Sequence, residues 1–138
     1  MIKSNKTASE QRLFAILFLT ISAFALIGSL YTWGSGLLFD QQKSHELLLP
    51  IVDLILTFPL SFAAGYLLLK DHRLGFILGL ILAGSLLYGS IAVYIELYLM
   101  ESYSWRLAAP PIAGIALSVV YFNWCYQLYS HDFETSPN

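Results

Sequence analysis

Four long apolar blocks dominate the chain, roughly 13–33, 47–69, 74–100 and 105–129, with short polar stretches between them. Each reaches the roughly 20 residues that a helix needs to cross hydrocarbon. The pattern predicts an all-α, polytopic membrane protein: one domain over 1–138, with four transmembrane helices in an antiparallel up-down bundle and both termini on one side. The first block could pass for a cleaved signal peptide, because Lys3, Lys6 and Arg12 precede it and Ala23-Phe24-Ala25 imitates a cleavage site. Its apolar run continues to Leu30, beyond the usual length of a signal core, so a retained helix is expected.

Polar and small residues inside the blocks carry the next layer of information. Asp53, Thr57, Ser61 and Gly65 recur at every fourth position, which puts them on one face of the second helix. A carboxylate is costly in hydrocarbon unless it faces a bundle interior, a partner or water, so this stripe is a candidate functional surface. Gly75, Gly79 and Ala83 form a small-residue face on the third helix, which lets another backbone approach closely. The fourth helix has a similar stripe, Ala109, Ala113, Ala116 and Val120, continued by Asn123 and Gln127. The two amides are expected to hydrogen-bond across the bundle.

Charge then orients the helices. Lys3, Lys6, Arg12, Lys70 and Arg73 fall on one side and only Lys43 and Arg106 on the other, so the positive-inside rule expects N-in and C-in. Tyr31, Trp33, Tyr98, Tyr103 and Trp105 would form an outer aromatic belt, with Trp124, Tyr126 and Tyr129 at the inner surface. Composition supports lipid as the solvent: 57% of the residues are hydrophobic and 12% charged, against about 25% charged in a soluble domain. A net charge of −2 offers no basic excess for nucleic acid.

The chemical inventory is short. Cys125 is the only cysteine, which excludes an intramolecular disulfide, a CxxC pair and a thiolate metal cage. His45, His72 and His131 lie in loops or the tail, so a bis-histidine heme between helices cannot be assembled. With no GxSxG elbow and no HExxH helix, no catalytic residue, metal site or cofactor is expected. At about 1.5 Å per residue, Asp53 lies roughly 5 Å below Pro50, a residue suited to the first helical position. Glu96 and Arg106 come near the same level on helices three and four. These three, with Thr57 and Ser61, are the candidate site for a proton, a cation or a small ligand; Pro50, Pro59, Pro110 and Pro111 would kink the backbone in that half.

The run Trp33-Gly34-Ser35-Gly36-Leu37-Leu38-Phe39-Asp40, with Asp53-Leu54, Pro59-Leu60 and Arg73-Leu74-Gly75, resembles a pattern in small four-helix prokaryotic membrane proteins of no assigned function. That resemblance implies a four-helix fold in a prokaryotic inner membrane and brings no binding or catalytic residue with it. Small multidrug transporters match in size, but their key glutamate belongs to the first helix, which has no internal acid here. The expected function is that of a non-enzymatic accessory or interaction subunit, embedded in the bilayer and packed on another membrane protein or on its own copies. The alternative is binding or transport centred on Asp53. An intramembrane enzyme is the weakest of the three readings.

Overall fold

The computed structural model describes residues 5–35, 51–99 and 105–134, with side chains of 8–35, 51–99 apart from Glu96, and 108–130. Among them are four helical stretches and no strand. Helix α1 is Asn5–Gly34 and α2 is Asp53–Leu69. Helix α3 is Arg73–Leu99 and α4 is Trp105–Glu134. Three helical segments, Ala8–Gly34, Arg73–Leu99 and Ala108–Ser130, are long and apolar enough to cross a membrane. Helix α2 is apolar but shorter, and the start of its expected span, Pro50 included, lies outside the described residues. Large apolar side chains stand exposed on α1, Phe24 at 73% and Ile27 at 65%. Water penalises such a surface and hydrocarbon does not.

The chain divides into two compact units, Met1–Gly79 and Leu80–Asn138. In the first, α1 and α2 run antiparallel: going up α1, Gln11 meets Leu68, Ala15 and Leu19 meet Gly65, and Ser22 meets Phe58. Phe14, Ala15, Phe18 and Ala25 of α1 are buried, as are Ala64 and Leu68 of α2. Gly65 permits the close approach. A Cβ there would stand 2.8 Å from the Ala15 carbonyl oxygen and 2.8 Å from Leu19 Cγ.

Helix α2 begins with a π turn, Asp53–Thr57, and becomes α-helical over Phe58–Leu69. Pro59 explains the change. In a regular helix its ring would collide with the Ile55 carbonyl and its missing N–H would leave a gap in the ladder. The wider π turn ends just before it, so that Pro59 falls in the first turn of the α-helical part, where no N–H is required. At the other end, His72 N–H donates to Leu67 O at 2.9 Å and Asp71 N–H to Leu68 O at 3.1 Å, which is a Schellman closure. Asp71 takes the left-handed position usually given to glycine, with φ 57°. His72 Nδ1 then accepts from Leu74 N–H at 3.2 Å and caps α3. Gly75 sits so close to α2 that a Cβ would come 2.6 Å from the Leu68 nitrogen.

Phe58, Phe62, Tyr66 and Lys70 line another face of α2 at four-residue spacing. Successive ring centroids are 6.3 Å apart, and the Lys70 ammonium lies 5.7 Å from the Tyr66 centroid. Arg12, Lys70 and Arg73 are exposed at this one end of the first unit.

In the second unit, Leu82 and Ala83 of α3 are buried, as are Ala108, Pro111, Ser118, Tyr121 and Trp124 of α4. Gly114 faces Ser90, whose Oγ would collide with a Cβ built on that glycine. Pro110 and Pro111 are accommodated inside α4 near its start, without a break.

Candidate functional site

The stripe on α2 faces a helix. Ser61 and Gly65 are buried and Asp53 and Thr57 half-buried, with α1 packed along both the π turn and the α-helical part. Opposite them α1 presents Gln11, Ala15, Phe18, Ser22, Ala25 and Ser29, all buried. These positions alternate steps of four and three, the spacing that keeps one seam of a helix on a partner helix. The sequence reading used the α2 side only. The α1 side was marked by Gln11, Ser22 and Ser29 standing in that register within an apolar helix.

Hydrogen bonds close this seam from within. Ser22 Oγ donates to Phe58 O at 3.3 Å, and Ser61 Oγ reaches Thr57 O at 2.5 Å and Phe58 O at 3.2 Å. These acceptors immediately precede Pro59, where the helical ladder is disturbed. At the far end, Gln11 Nε2 donates to Leu68 O at 2.5 Å and to an Asp71 carboxylate oxygen at 3.3 Å. Among the described residues, every buried side-chain nitrogen and oxygen has a hydrogen-bond partner. The register puts Ser29 at about the level of Asp53, at 1.5 Å per residue.

The proposed meeting of Asp53 with Glu96 and Arg106 lies outside what is described. Glu96 is on α3 and Arg106 on α4, but both side chains fall outside the described ones, and Asp53 belongs to the other compact unit. Among the described residues, no three His, Cys, Asp or Glu side chains gather as metal ligands would. Gly75, Gly79 and Ala83 are all buried.

Helix α4 corrects the sequence reading. Ala109 is half-buried, and Ala113, Ala116, Val120, Asn123 and Gln127 are exposed, so the two amides make no side-chain hydrogen bond to α3 among the described residues. The buried side is instead Ala108, Pro111, Ser118, Tyr121 and Trp124, where the Tyr121 and Trp124 rings pack at 5.6 Å between centroids. Trp124 is therefore an interior residue, 5% exposed, while Tyr126 and Tyr129 remain outward. Tyr121 and Trp124 took the inner side, and Ala113 and Ala116 were left outside. The exposed stripe, 109-113-116-120-123-127, alternates four and three in the same way as the buried seam of α1.

A shallow apolar groove lies on the outer face of α1, lined by Ile16, Leu19, Thr20, Ala23, Phe24 and Ile27.

The fold and these two seams define an all-α protein with three membrane-length apolar helices. Compared with family models, curated proteins and solved structures, the chain finds no match in any of the three.

Proposed function

We propose that this chain is a non-enzymatic interaction subunit of a membrane assembly, and that the exposed seam of α4 receives a transmembrane helix. A single observation carries this reading: Asn123 and Gln127 stand exposed on the seam register of an apolar helix. An amide facing hydrocarbon has no water to bond, and a helix that offers it a partner is bound by the difference. The alanines beside them let that helix come close. The proposed setting is a prokaryotic inner membrane, crossed several times with both termini cytoplasmic. The exposed Arg12, Lys70 and Arg73 at one end of the first unit support that orientation.

Photocrosslinking from positions 116 and 120 in native membranes tests the docking. A reproducible product with another transmembrane chain is expected. If neither position gives a protein product, the reading fails.

The second reading is binding of a proton, a cation or a small lipophilic ligand at Asp53. Its support is the π turn, a departure from regular helix often found at functional sites, which holds the half-buried Asp53. Asp53→Asn in reconstituted vesicles is expected to abolish proton-linked flux or ligand binding. Unchanged behaviour removes Asp53 from any such role.

A further inference from the structure

We infer that the side of the α1–α2 pair bearing the apolar groove seats an anionic phospholipid, with one acyl chain in the groove and the phosphate held by Arg12 and Lys70. The inference rests on the bilayer setting proposed above and is independent of what docks on α4. All its residues belong to the unit Met1–Gly79. The groove runs along α1 from Ile16 to Ile27, about 16 Å at 1.5 Å per residue. That is the depth of one leaflet, half of a hydrocarbon core about 30 Å thick. Thr20, its polar lining residue, turns its hydroxyl to the Ile16 carbonyl at 2.9 Å, so the lining asks for no hydrogen bond.

Two cations stand at one end of this groove. Arg12 is exposed and lies four residues before Ile16 and seven before Leu19, so it continues the register of the lining by one turn. Leu19, at the edge of the groove, packs on Gly65 of α2. For two antiparallel right-handed helices, that contact puts Arg12 on the same side of the pair as Phe62 and Tyr66. The Lys70 ammonium lies 5.7 Å from the Tyr66 centroid. The bond from Gln11 to Leu68 sets Arg12 and Lys70 within about one turn of the same level. The neighbouring acids are directed elsewhere: the Asp71 carboxylate receives the Gln11 amide, and Glu10 lies about 160° around α1 from Arg12. Neither Arg12 nor Lys70 makes an ion pair among the described residues.

Charge and depth together select the occupant. In a bilayer, acyl chains cover any helix surface that protein does not, and the cations then choose the head. A face that is apolar for one leaflet and ends in two cations has the polarity of a lipid with a negative head, and each such cation favours anionic lipid. Tyr66, beside Lys70, suits the boundary between chain and head. Arg73 supplies a control of equal charge. It begins α3, which packs through Gly75 on Leu67 and Leu68, and Leu67 lies about 140° around α2 from Phe62.

The test reconstitutes the full chain in phosphatidylcholine vesicles and compares how much spin-labelled phosphatidylglycerol and phosphatidylcholine it immobilises. A preference of about 5- to 25-fold for phosphatidylglycerol is expected, with Arg12→Gln and Lys70→Gln each lowering it about 3- to 5-fold. Arg73→Gln should change it less than about 2-fold, since the headgroup lies on the other side of α2. Ala23→Trp fills the groove from an exposed position and should release the immobilised lipid. A photocrosslinker at position 23 should label lipid.

Equal immobilisation of the two lipids would overturn the site, and an equal loss from Arg73→Gln would replace it with diffuse surface charge. Displacement by inorganic phosphate at matched ionic strength would overturn the acyl seat, as would an unchanged signal in Ala23→Trp. A protein product from position 23 would put a helix where the lipid is placed. Failure of the chain to float with the vesicles would overturn the bilayer setting itself, whereas a chain that floats without preference overturns this site alone.

Discussion

Helices α1 and α4 have the same length, 30 residues, and each carries a seam of small and polar residues in alternating steps of four and three. One seam is filled and the other open. The polar groups account for the difference. Ser22 on α1 needs only one acceptor and finds it in the Phe58 carbonyl, while Gln11, at the helix end, bonds the last turn of α2 and Asp71. The α4 seam carries amides, whose several donors and acceptors cannot be met by their own helix. On the buried side of α4, the Ser118 hydroxyl is satisfied locally, donating to Gly114 O at 2.8 Å. In lipid, apolar area does not tell a helix which way to face. Closed hydrogen bonds mark the α1 seam as a finished interface.

The largest expected effect breaks the filled seam. Gly65→Leu must push a side chain into the Ala15 carbonyl oxygen and the Leu19 nitrogen, backbone atoms that cannot turn aside. Overpacking of this kind costs about 1–3 kcal/mol or more, measurable as reduced resistance to unfolding in mixed micelles. Gly65→Ala should already be destabilising. Gly114→Ala provides the contrast, since the atom in its way is the Ser90 hydroxyl, which can rotate. Equal losses at the two glycines would contradict the rigid contact assigned to α1 and α2.

The next effect exchanges the polar residues of the two seams. Gln11→Leu removes a buried donor from the Leu68 carbonyl and from Asp71, with an expected loss of about 1–2 kcal/mol in the stability of the isolated chain. Asn123→Leu should leave that stability within about 0.5 kcal/mol, because nothing in the chain bonds to it among the described residues. Its cost belongs to association. If Asn123→Leu destabilises the dilute, monomeric chain as much as Gln11→Leu does, the α4 seam is filled from within and the contrast fails.

Hydropathy made most of the fold legible. Three of the four expected spans correspond to described helices of membrane length, and the Lys70–Arg73 turn stands where the polar break was read. Helix rotation was harder. A span that is apolar on every side offers no amphipathic stripe to orient it, so small residues were taken as the packing mark on both α3 and α4. Gly75 and Gly79 are both buried, and at Gly75 the α2 backbone stands against the glycine. Ala113 and Ala116 did not, because Tyr121 and Trp124 supply more contact area on the opposite side. The α2 stripe was readable from its spacing. The answering residues of α1 were equally spaced, but serine in an apolar helix draws less notice than a carboxylate.

The smallest effect tests how the filled seam ends. Asp71 occupies a left-handed position, φ 57°, where glycine would sit without steric strain, and its carboxylate receives the Gln11 amide at 3.3 Å. Two terms oppose each other in Asp71→Gly. Relief of the left-handed strain, partly offset by the greater freedom of glycine in the unfolded chain, is worth about 0.5 kcal/mol; the lost hydrogen bond costs about 1 kcal/mol. Alone, the substitution should destabilise slightly. With Gln11→Leu already present that amide is no longer there to be lost, so the same change should cost about 1 kcal/mol less. The double-mutant cycle reads this coupling directly. If the change costs the same in both backgrounds, the bond from Gln11 to the Asp71 carboxylate contributes nothing, and the seam ends at Leu68.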